Sequence, residues 1–402
     1  MHSVITASVV AALLLVAGAS APVRAASPRT QAAPATAPSS EVRKAGNFAV
    51  ELRPPAGGVY AEEETEVEFR VADATLGDIH SSVAGVPRAR VRAKITLTSD
   101  PSVSVSEPSV RSASVPGDYA LSATFPRAGA YAVELNVTPP GDGAKEFTVT
   151  LPLTVKEKTD PKKREAAALP YKLKLEVEPR RPAAGDAVVM TLSIVDRASG
   201  APIEGYGVVY DSLLRVAIAR DDLGAFFYEQ PKLDEKTGKF TLGFAFPNGG
   251  DWRVFAEAAP IGAGGVVVSE KVTVEGARAL REPLMPRGLP LVRSGMHVLT
   301  MKPLKASARR TLPLTFSLAD NQGRPVVDIQ PWAGALAHLI LIERDGQTYV
   351  HSVTDESDPR TGRTGDLVFP TRFPKSGVYK GWVQFMRLGQ THTLPFLLRV
   401  SD

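Results

Sequence analysis

Apolar and polar residues alternate along much of this chain, with the period of strands that bury one face. Val133, Leu135 and Val137, for example, alternate with Glu134 and Asn136, which is typical of a half-buried strand. The same kind of run occurs at residues 65–71, 89–95, 188–195 and 312–318. Helical periodicity is missing around these runs, so the pattern predicts an all-β protein.

One short motif occurs three times, at residues 117–131, 238–252 and 365–379. It is Gly-x-apolar, five residues, Phe-Pro, two residues and Gly-x-aromatic, and the aromatic residue is Tyr131, Trp252 or Tyr379. Because Pro cannot donate to a ladder and Gly tolerates positive φ, Phe-Pro-x-x-Gly ends one strand before the aromatic residue opens the next. An aromatic residue at this corner is typical of immunoglobulin-like sandwiches. The motif predicts three tandem immunoglobulin-like antiparallel β-sandwich modules.

A second landmark, an Asp that ends a strand followed by Gly-x-Pro, also occurs once in each copy, with Asp at positions 73, 196 and 320. Two landmarks in one order support three related modules. The predicted organisation is a signal peptide at 1–25, an Ala/Pro-rich disordered tether at 26–44, module 1 at 45–157, a charged linker at 158–170, module 2 at 171–275, a Pro-rich linker at 276–290, and module 3 at 291–402.

The N-terminus has the features of an export signal. Residues 4–18 are almost wholly apolar, are too few to span a bilayer, and are followed by small residues. Cleavage is expected after Ala21 or Ala25. No later run is long enough for a transmembrane helix, so we expect a periplasmic or extracellular protein.

Composition excludes several functions. The net charge of +4, from 47 basic and 43 acidic residues, is too small to indicate a nucleic-acid partner. The chain has no cysteine, which excludes disulfides and thiolate chemistry. It also lacks the Gly-x-Ser-x-Gly, His-Glu-x-x-His and phosphate-loop motifs. We therefore expect a non-enzymatic, monomeric or weakly associating protein that binds an envelope protein or ligand or acts as a scaffold.

Two stretches in each of modules 2 and 3 have corresponding residues. Module 3 has His338 in an apolar run and His351 in the next one. Module 2 has Arg215 and Tyr228 at the corresponding positions, and Gln230 two residues after Tyr228.

With these stretches, modules 2 and 3 resemble the YtkA-like family of exported immunoglobulin-like modules, and module 1 is similar to the FixH-like type. The resemblance implies a His in a central strand and His-x-His-Pro after the next one, a set suspected of binding metal. Module 2 lacks those ligands, since Arg, Tyr and Gln do not form a copper or zinc site. Module 3 keeps His338 and His351.

Hairpin geometry supports a shared face for these two histidines. Asp345-Gly346 between apolar runs predicts a tight turn, and a two-residue loop there pairs Ile340 with His351. His338 and His351 are then diagonal neighbours, about 7–8 Å apart at the backbone. A three-residue loop would place them on opposite faces.

Copper is the metal that such a site would hold, because copper(I) accepts thioether and imidazole without cysteine. A turn at Leu388-Gly389 places His392 opposite Phe385. The candidate ligands are His338, His351, His297, His392, Met301 and Met386. The alternative is that they pack in the core or lie on the surface.

A third interpretation is adhesion to an envelope polymer or carbohydrate through exposed aromatic residues. The candidates are Trp332, Phe226, Phe227 and Tyr228. The alternative for them is packing in a core or between modules.

Overall fold

The computed structural model describes residues 41–402, except 56–57, 82, 114, 161–168, 204, 262, 282, 287, 289, 303–304 and 356–357. The predicted signal peptide and residues 26–40 of the predicted tether lie outside the described residues. The predicted end of the tether at residue 44 is wrong, because Glu41–Ala45 forms the first strand and pairs along its length with the next strand.

Module 1 is a sandwich of two five-stranded sheets, in the orders β1-β2-β4-β8-β7 and β3-β10-β9-β5-β6. Its strands are β1 (Glu41–Ala45), β2 (Phe48–Arg53), β3 (Val59–Tyr60), β4 (Glu64–Asp73), β5 (Arg90–Leu97), β6 (Asp100–Ser104), β7 (Ser109–Ser112), β8 (Asp118–Thr124), β9 (Gly129–Thr138) and β10 (Phe147–Lys156). A 3-10 turn at Ala74–Leu76 follows β4.

Module 2 repeats this plan with sheets ordered β11-β12-β17-β16 and β13-β18-β14-β15, and β19 also pairs with β18. Its strands are β11 (Tyr171–Glu178), β12 (Ala187–Asp196), β13 (Tyr206–Gly207), β14 (Leu214–Arg220), β15 (Phe226–Glu229), β16 (Lys232–Asp234), β17 (Lys239–Ala245), β18 (Gly250–Pro260) and β19 (Val266–Val274).

Module 3 has sheets ordered β20-β21-β22-β26 and β23-β27-β24-β25, and β28 also pairs with β27. Its strands are β20 (Leu291–Ser294), β21 (His297–Met301), β22 (Thr311–Asp320), β23 (Ile329–Gln330), β24 (Ala337–Glu343), β25 (Tyr349–Val353), β26 (Asp366–Arg372), β27 (Gly377–Arg387) and β28 (Gln390–Val400). The predicted fold class, tandem antiparallel β-sandwiches, is confirmed.

The repeated motif forms the same corner in each module. Tyr131 and Tyr379 donate their hydroxyl hydrogens to the carbonyls four residues earlier, at 2.9 and 2.8 Å. Trp252 donates its indole N–H to the corresponding carbonyl at 3.1 Å. The first Gly of the motif also has a structural reason, because Gly117 has φ +87° and a Cβ on it would lie 2.5 Å from the Gly85 backbone. The motif is therefore architectural.

Each sandwich encloses its own apolar core, and further contacts join the modules. The described residues form one compact unit. Module 1 contacts module 2 where Val115 packs with Val209 and Ala259. It contacts module 3 where the Glu64 carboxylate accepts the Thr311 backbone N–H at 2.7 Å. In the part of the chain that the structure describes, no helix is long and apolar enough to cross a membrane.

Candidate functional site

Modules 2 and 3 pack against each other through corresponding sheets. In module 2, Ala217 on β14 pairs with Tyr228 on β15 and with Phe255 on β18. In module 3, Ile340 on β24 pairs in the same way with His351 on β25 and Trp382 on β27. The register therefore makes Tyr228 equivalent to His351 and Phe255 equivalent to Trp382.

An apolar cluster separate from both module cores lies between the two sheets, and we call it the 2–3 interface: Ala217, Ala219, Leu223, Tyr228, Phe255, Ile342 and Trp382.

The aromatic contacts of the 2–3 interface are reciprocal. Phe226 stacks on Trp382 with ring centroids 4.3 Å apart. Tyr349, the equivalent of Phe226 in module 3, packs on Phe255, the equivalent of Trp382, with centroids 4.9 Å apart. Such exchange of equivalent partners is the pattern of an isologous two-fold interface. The two modules are thus related like the subunits of a dimer joined in one chain.

The turns before β14 and β24 also meet in this interface. Tyr210 and Asp211 have φ of 48° and 59°, and Ala333 and Gly334 have φ of 51° and 79°. A Cβ on Gly334 would lie only 3.2 Å from the Tyr210 Cα. Gly334 therefore permits both the left-handed turn and the close approach of the Tyr210 backbone.

A chain of hydrogen bonds crosses the buried centre of the interface. His338 Nε2 lies 3.0 Å from the Trp332 carbonyl, and His338 Nδ1 lies 2.9 Å from His351 Nε2. His351 Nδ1 lies 2.6 Å from Oε2 of Glu257, which belongs to module 2. The other Glu257 oxygen accepts the Tyr349 hydroxyl hydrogen at 2.5 Å. Side chains of both modules are therefore joined through one carboxylate.

Hydrogen-bond geometry assigns the protons in this chain. A carbonyl only accepts, so His338 Nε2 carries a hydrogen. Burial, followed by the effect of His351, lowers the pKa of His338 to about 3, so His338 is neutral and its Nδ1 accepts from His351 Nε2–H. One further proton lies between His351 and Glu257, because two bare acceptors would repel at 2.6 Å.

Two tyrosines line the same carboxylate and stay protonated. Burial, followed by the Glu257 charge, raises the pKa of both Tyr228 and Tyr349 well above the usual range. Arg215 lies behind them, where its guanidinium donates to the Tyr210 carbonyl at 2.8 Å and faces the Tyr228 ring at 6.0 Å. The Tyr228 hydroxyl itself has no hydrogen-bond partner among the described residues, so the polar network that joins the two modules runs through His351, Glu257 and Tyr349.

The predicted hairpin register is confirmed, since Ile340 pairs with His351. The predicted two-residue loop is wrong in length. Glu343 N–H bonds to the Thr348 carbonyl, so the loop contains the four residues 344–347. This loop, like the predicted one, has an even number of residues, so His338 and His351 share a face of the sheet as expected. The Leu388-Gly389 turn is also confirmed, because Phe385 pairs with His392.

The six candidate ligands separate into different places. His338 and His351 pack against Tyr210 and Tyr228 of module 2, whereas His297 and His392 pack together elsewhere in module 3, with ring centroids 4.4 Å apart. Met301 is 1% exposed in the module 3 core. Met386 lies on β27 and pairs with Thr391 and Gln330. The structure brings the first two histidines into hydrogen-bond contact with each other and places His297, His392 and Met301 in other parts of module 3.

The fit of a metal ion to the His338–His351 pair is limited by its hydrogen bonds. All four ring nitrogens bond to Trp332, Glu257 or each other, and the Nδ1–Nε2 separation of 2.9 Å is a hydrogen-bond distance. Among the described residues, no group of three or more His, Asp or Glu side chains is arranged to hold a metal ion. In this arrangement the two histidines act as hydrogen-bond partners.

The four aromatic residues considered for polymer binding form no open row. Phe226 stacks on Trp382, and Tyr228 and Trp332 contact each other across the interface. Phe227 packs with Phe244 and Trp252 on the inner side of module 2. All four have core or inter-module packing roles, which was the alternative considered for them.

Sequence reasoning missed Glu257, the central acceptor of the site. Its position on β18 alternates like a solvent-facing polar residue, so nothing local distinguished it. The apolar residues next to Glu257 could have indicated that its face is covered. Ala256 and Ala258 point into the module 2 core, and Phe255, which is on the outward face, is only 1% exposed. A strand that is apolar on both faces is covered on both faces.

Residues 293–402, within module 3, match the model of a family described as a domain of unknown function, DUF8832. No curated protein matches the chain.

Among solved structures, the chain is similar to the Escherichia coli adhesin FdeC, at 16% identity over 90% of this chain and 99% of that chain with a TM-score of 0.19. It is similar to the bacterial integrin-binding protein invasin at 14% identity over 85% and 61%, with a TM-score of 0.19. Native E. coli alpha-2-macroglobulin matches at 13% identity over 88% and 22%, with a TM-score of 0.22. At these values the similarity carries no inference about function.

Proposed function

We propose that this protein is an exported, non-catalytic scaffold or binding protein of the bacterial cell envelope, whose modules 2 and 3 form one rigid pair. The reciprocal 2–3 interface is the observation that supports this role most directly. Both modules use the outward face of the same sheet for mutual packing, with Phe226 on Trp382 and Tyr349 on Phe255. A buried aromatic interface fixes the orientation of two modules and of the surfaces they present.

The corresponding sheet of module 1 has a different outward face from the sheets of modules 2 and 3. On β9, the equivalent of β18 and β27, Glu134 stands in the place of Phe255 and Trp382, and on the neighbouring strand β5 the residues Arg90, Arg92 and Lys94 are exposed. Where modules 2 and 3 have aromatic residues for mutual packing, module 1 has a surface suited to water. The proposed binding role therefore belongs to the outer faces of the unit, and partner contact at the 2–3 interface would require its opening.

Site-specific photo-crosslinking in the envelope of producing cells tests this function. A photoreactive amino acid is placed singly at four exposed positions on different strands: Thr150, Val189, Thr241 and Leu291. We expect one discrete envelope component to crosslink from one face and not from the others. The absence of a discrete product at every position, with the exported chain intact, contradicts a binding or scaffold role.

Copper binding by module 3 stays a prediction, and it needs a rearrangement. An ion between His338 and His351 would have to replace their hydrogen bond and the bonds to Trp332 and Glu257. Titration of the full chain with copper(I) and copper(II) tests it, with H338A/H351A as the variant and H297A/H392A as the matched control. Micromolar or tighter binding that only the first pair of substitutions abolishes supports a site, and binding unchanged in H338A/H351A refutes it.

A further inference from the structure

Strand β11 is an edge strand without the cover that its equivalents have. In module 1, β1 pairs with β2, and in module 3, β20 pairs with β21. The equivalent strand β11 pairs with β12, and within the described parts of the chain no strand pairs with its other side. An open edge of this length is a template for pairing with another strand.

The open edge leaves apolar surface partly uncovered. Leu175 on β11 is equivalent to Leu52 on β2 and Met301 on β21. Each of the three is paired with the residue four positions before the Asp that ends the neighbouring strand. Leu52 and Met301 are 2% and 1% exposed, whereas Leu175 is only partly buried. Val177 is also partly buried. A further strand beside β11 would complete the burial that modules 1 and 3 already have.

The alternation of hydrogen-bonded pairs between β11 and β12 shows which residues of β11 direct their backbone N–H and C=O groups towards the open side. Arg197 N–H bonds to the Pro170 carbonyl, in the same register in which β12 pairs with β11. Hydrogen-bonded pairs alternate along an antiparallel ladder, so residues 172, 174, 176 and 178 bond to β12. The N–H and C=O groups of Leu173, Leu175 and Val177 therefore point towards the open side.

The exposed side chains of β11 have a self-complementary charge order. Lys172, Lys174, Glu176 and Glu178 are all exposed and alternate with the inward residues. In an antiparallel pair of two β11 strands centred on Leu175, Lys172 lies opposite Glu178 and Lys174 opposite Glu176. The same register places Leu175 opposite its own copy and Leu173 opposite Val177, so that the free backbone groups face each other.

We propose that two copies of this chain associate through antiparallel β11–β11 pairing centred on Leu175, which joins the two β11-β12-β17-β16 sheets into one. The charged residues then occupy the non-hydrogen-bonded positions, where Cα atoms are about 4.5 Å apart and side chains are closest. Pro179 directly follows the strand and has no N–H to donate, which limits the paired segment at that end.

In the single chain, part of this charge is paired locally. Lys174 lies 3.2 Å from Glu176, and Lys239 on β17 lies 3.7 Å from the other Glu176 oxygen. These groups are about half exposed, so the pairs are weak. Association therefore exchanges weak pairs within one chain for pairs between two chains and adds backbone hydrogen bonds. Because the charges remain near solvent, the association should weaken with salt.

Sedimentation velocity on the full chain from residue 26 onward tests the proposal, with concentration and salt varied. We expect a concentration-dependent dimer for the natural sequence. Each of K172E/K174E and E176K/E178K should weaken self-association by about tenfold or more, because like charges then face each other. An equimolar mixture of these two variants should form a heterodimer, since an all-acidic strand then pairs with an all-basic one.

A backbone variant separates strand pairing from simple charge effects. Leu175→Pro removes an N–H that points to the open side and leaves the ladder to β12 intact, so it should abolish the dimer without unfolding the chain. As a control for surface charge, Lys94→Glu on exposed β5 should leave association unchanged. A natural chain that stays monomeric at low salt and 100 µM, as an order of magnitude, overturns the proposal. So does a mixture of the two charge variants that fails to associate while the natural chain dimerises.

Discussion

Replacing Trp382 with alanine should open the 2–3 interface while both modules stay folded. Trp382 is 4% exposed and stacks on Phe226 with an interplanar angle of 16°. Truncating a buried Trp costs about 3–5 kcal/mol, of which about 0.5–1.5 kcal/mol belongs to the ring pair. Because Trp382 packs in the interface cluster and not in the module 3 core, this loss should raise the interface opening constant by roughly 10²- to 4 × 10³-fold.

Thiol labelling measures this opening, since the chain has no cysteine of its own. A single Cys at Ala219 reports the interface, and a single Cys at Ala256 reports the module 2 core. Trp382→Ala should speed labelling at position 219 alone. The matched variant Trp252→Ala removes a core tryptophan and should speed labelling at both positions. Equal acceleration at both positions in Trp382→Ala, or less than about threefold at position 219, refutes a separable interface.

Three further substitutions test individual contacts through the free energy of unfolding in urea. Tyr379→Phe removes the hydrogen bond to the Lys375 carbonyl and should cost about 1 kcal/mol; no loss would mean that the corner bond is dispensable. Gly381→Ala places a Cβ into the Phe396 ring and should cost about 1–3 kcal/mol, with part of the loss recovered when Phe396→Leu is added. Burial, then Asp118 and Glu66, raises the pKa of Glu68 to about 7. A raised carboxyl pKa gives stability that is fully present below about pH 4.5 and lost as pH rises through about 7, so Glu68→Gln should flatten that pH dependence, and an unchanged profile contradicts the assignment.

The corner motif and the hairpin register were predictable because both are local. Gly, Phe-Pro and an aromatic residue determine a turn through their own backbone limits. Asp345-Gly346 placed His351 opposite Ile340 even though the loop is two residues longer than expected. An even-numbered change in loop length preserves the face on which a side chain lies, so the shared face of the histidines did not depend on the exact turn.

The partner of those histidines was not predictable, because Glu257 lies 94 residues from His351 in the chain. The sequence did contain a signal for the face that is covered. Strands β14 and β24 are buried at every position, and β24 contains the uninterrupted apolar run 339–342. By contrast, β5 of module 1 alternates charged with apolar residues and keeps an exposed face. Buried positions on both faces of these equivalent strands indicate that something covers the outward faces of modules 2 and 3, but they do not indicate what covers them.

The two contacts argued for this protein differ in the way that salt should act on them. The 2–3 interface is closed by stacked rings and by a buried carboxylate whose bonds are all within the unit, so added salt has little access to it. The proposed β11 pairing depends on exposed Lys and Glu side chains, which salt screens. Raising the salt concentration should therefore dissociate copies of the chain while labelling at position 219 stays slow. The chemistry of each face thus separates a permanent contact within the chain from a reversible contact between chains.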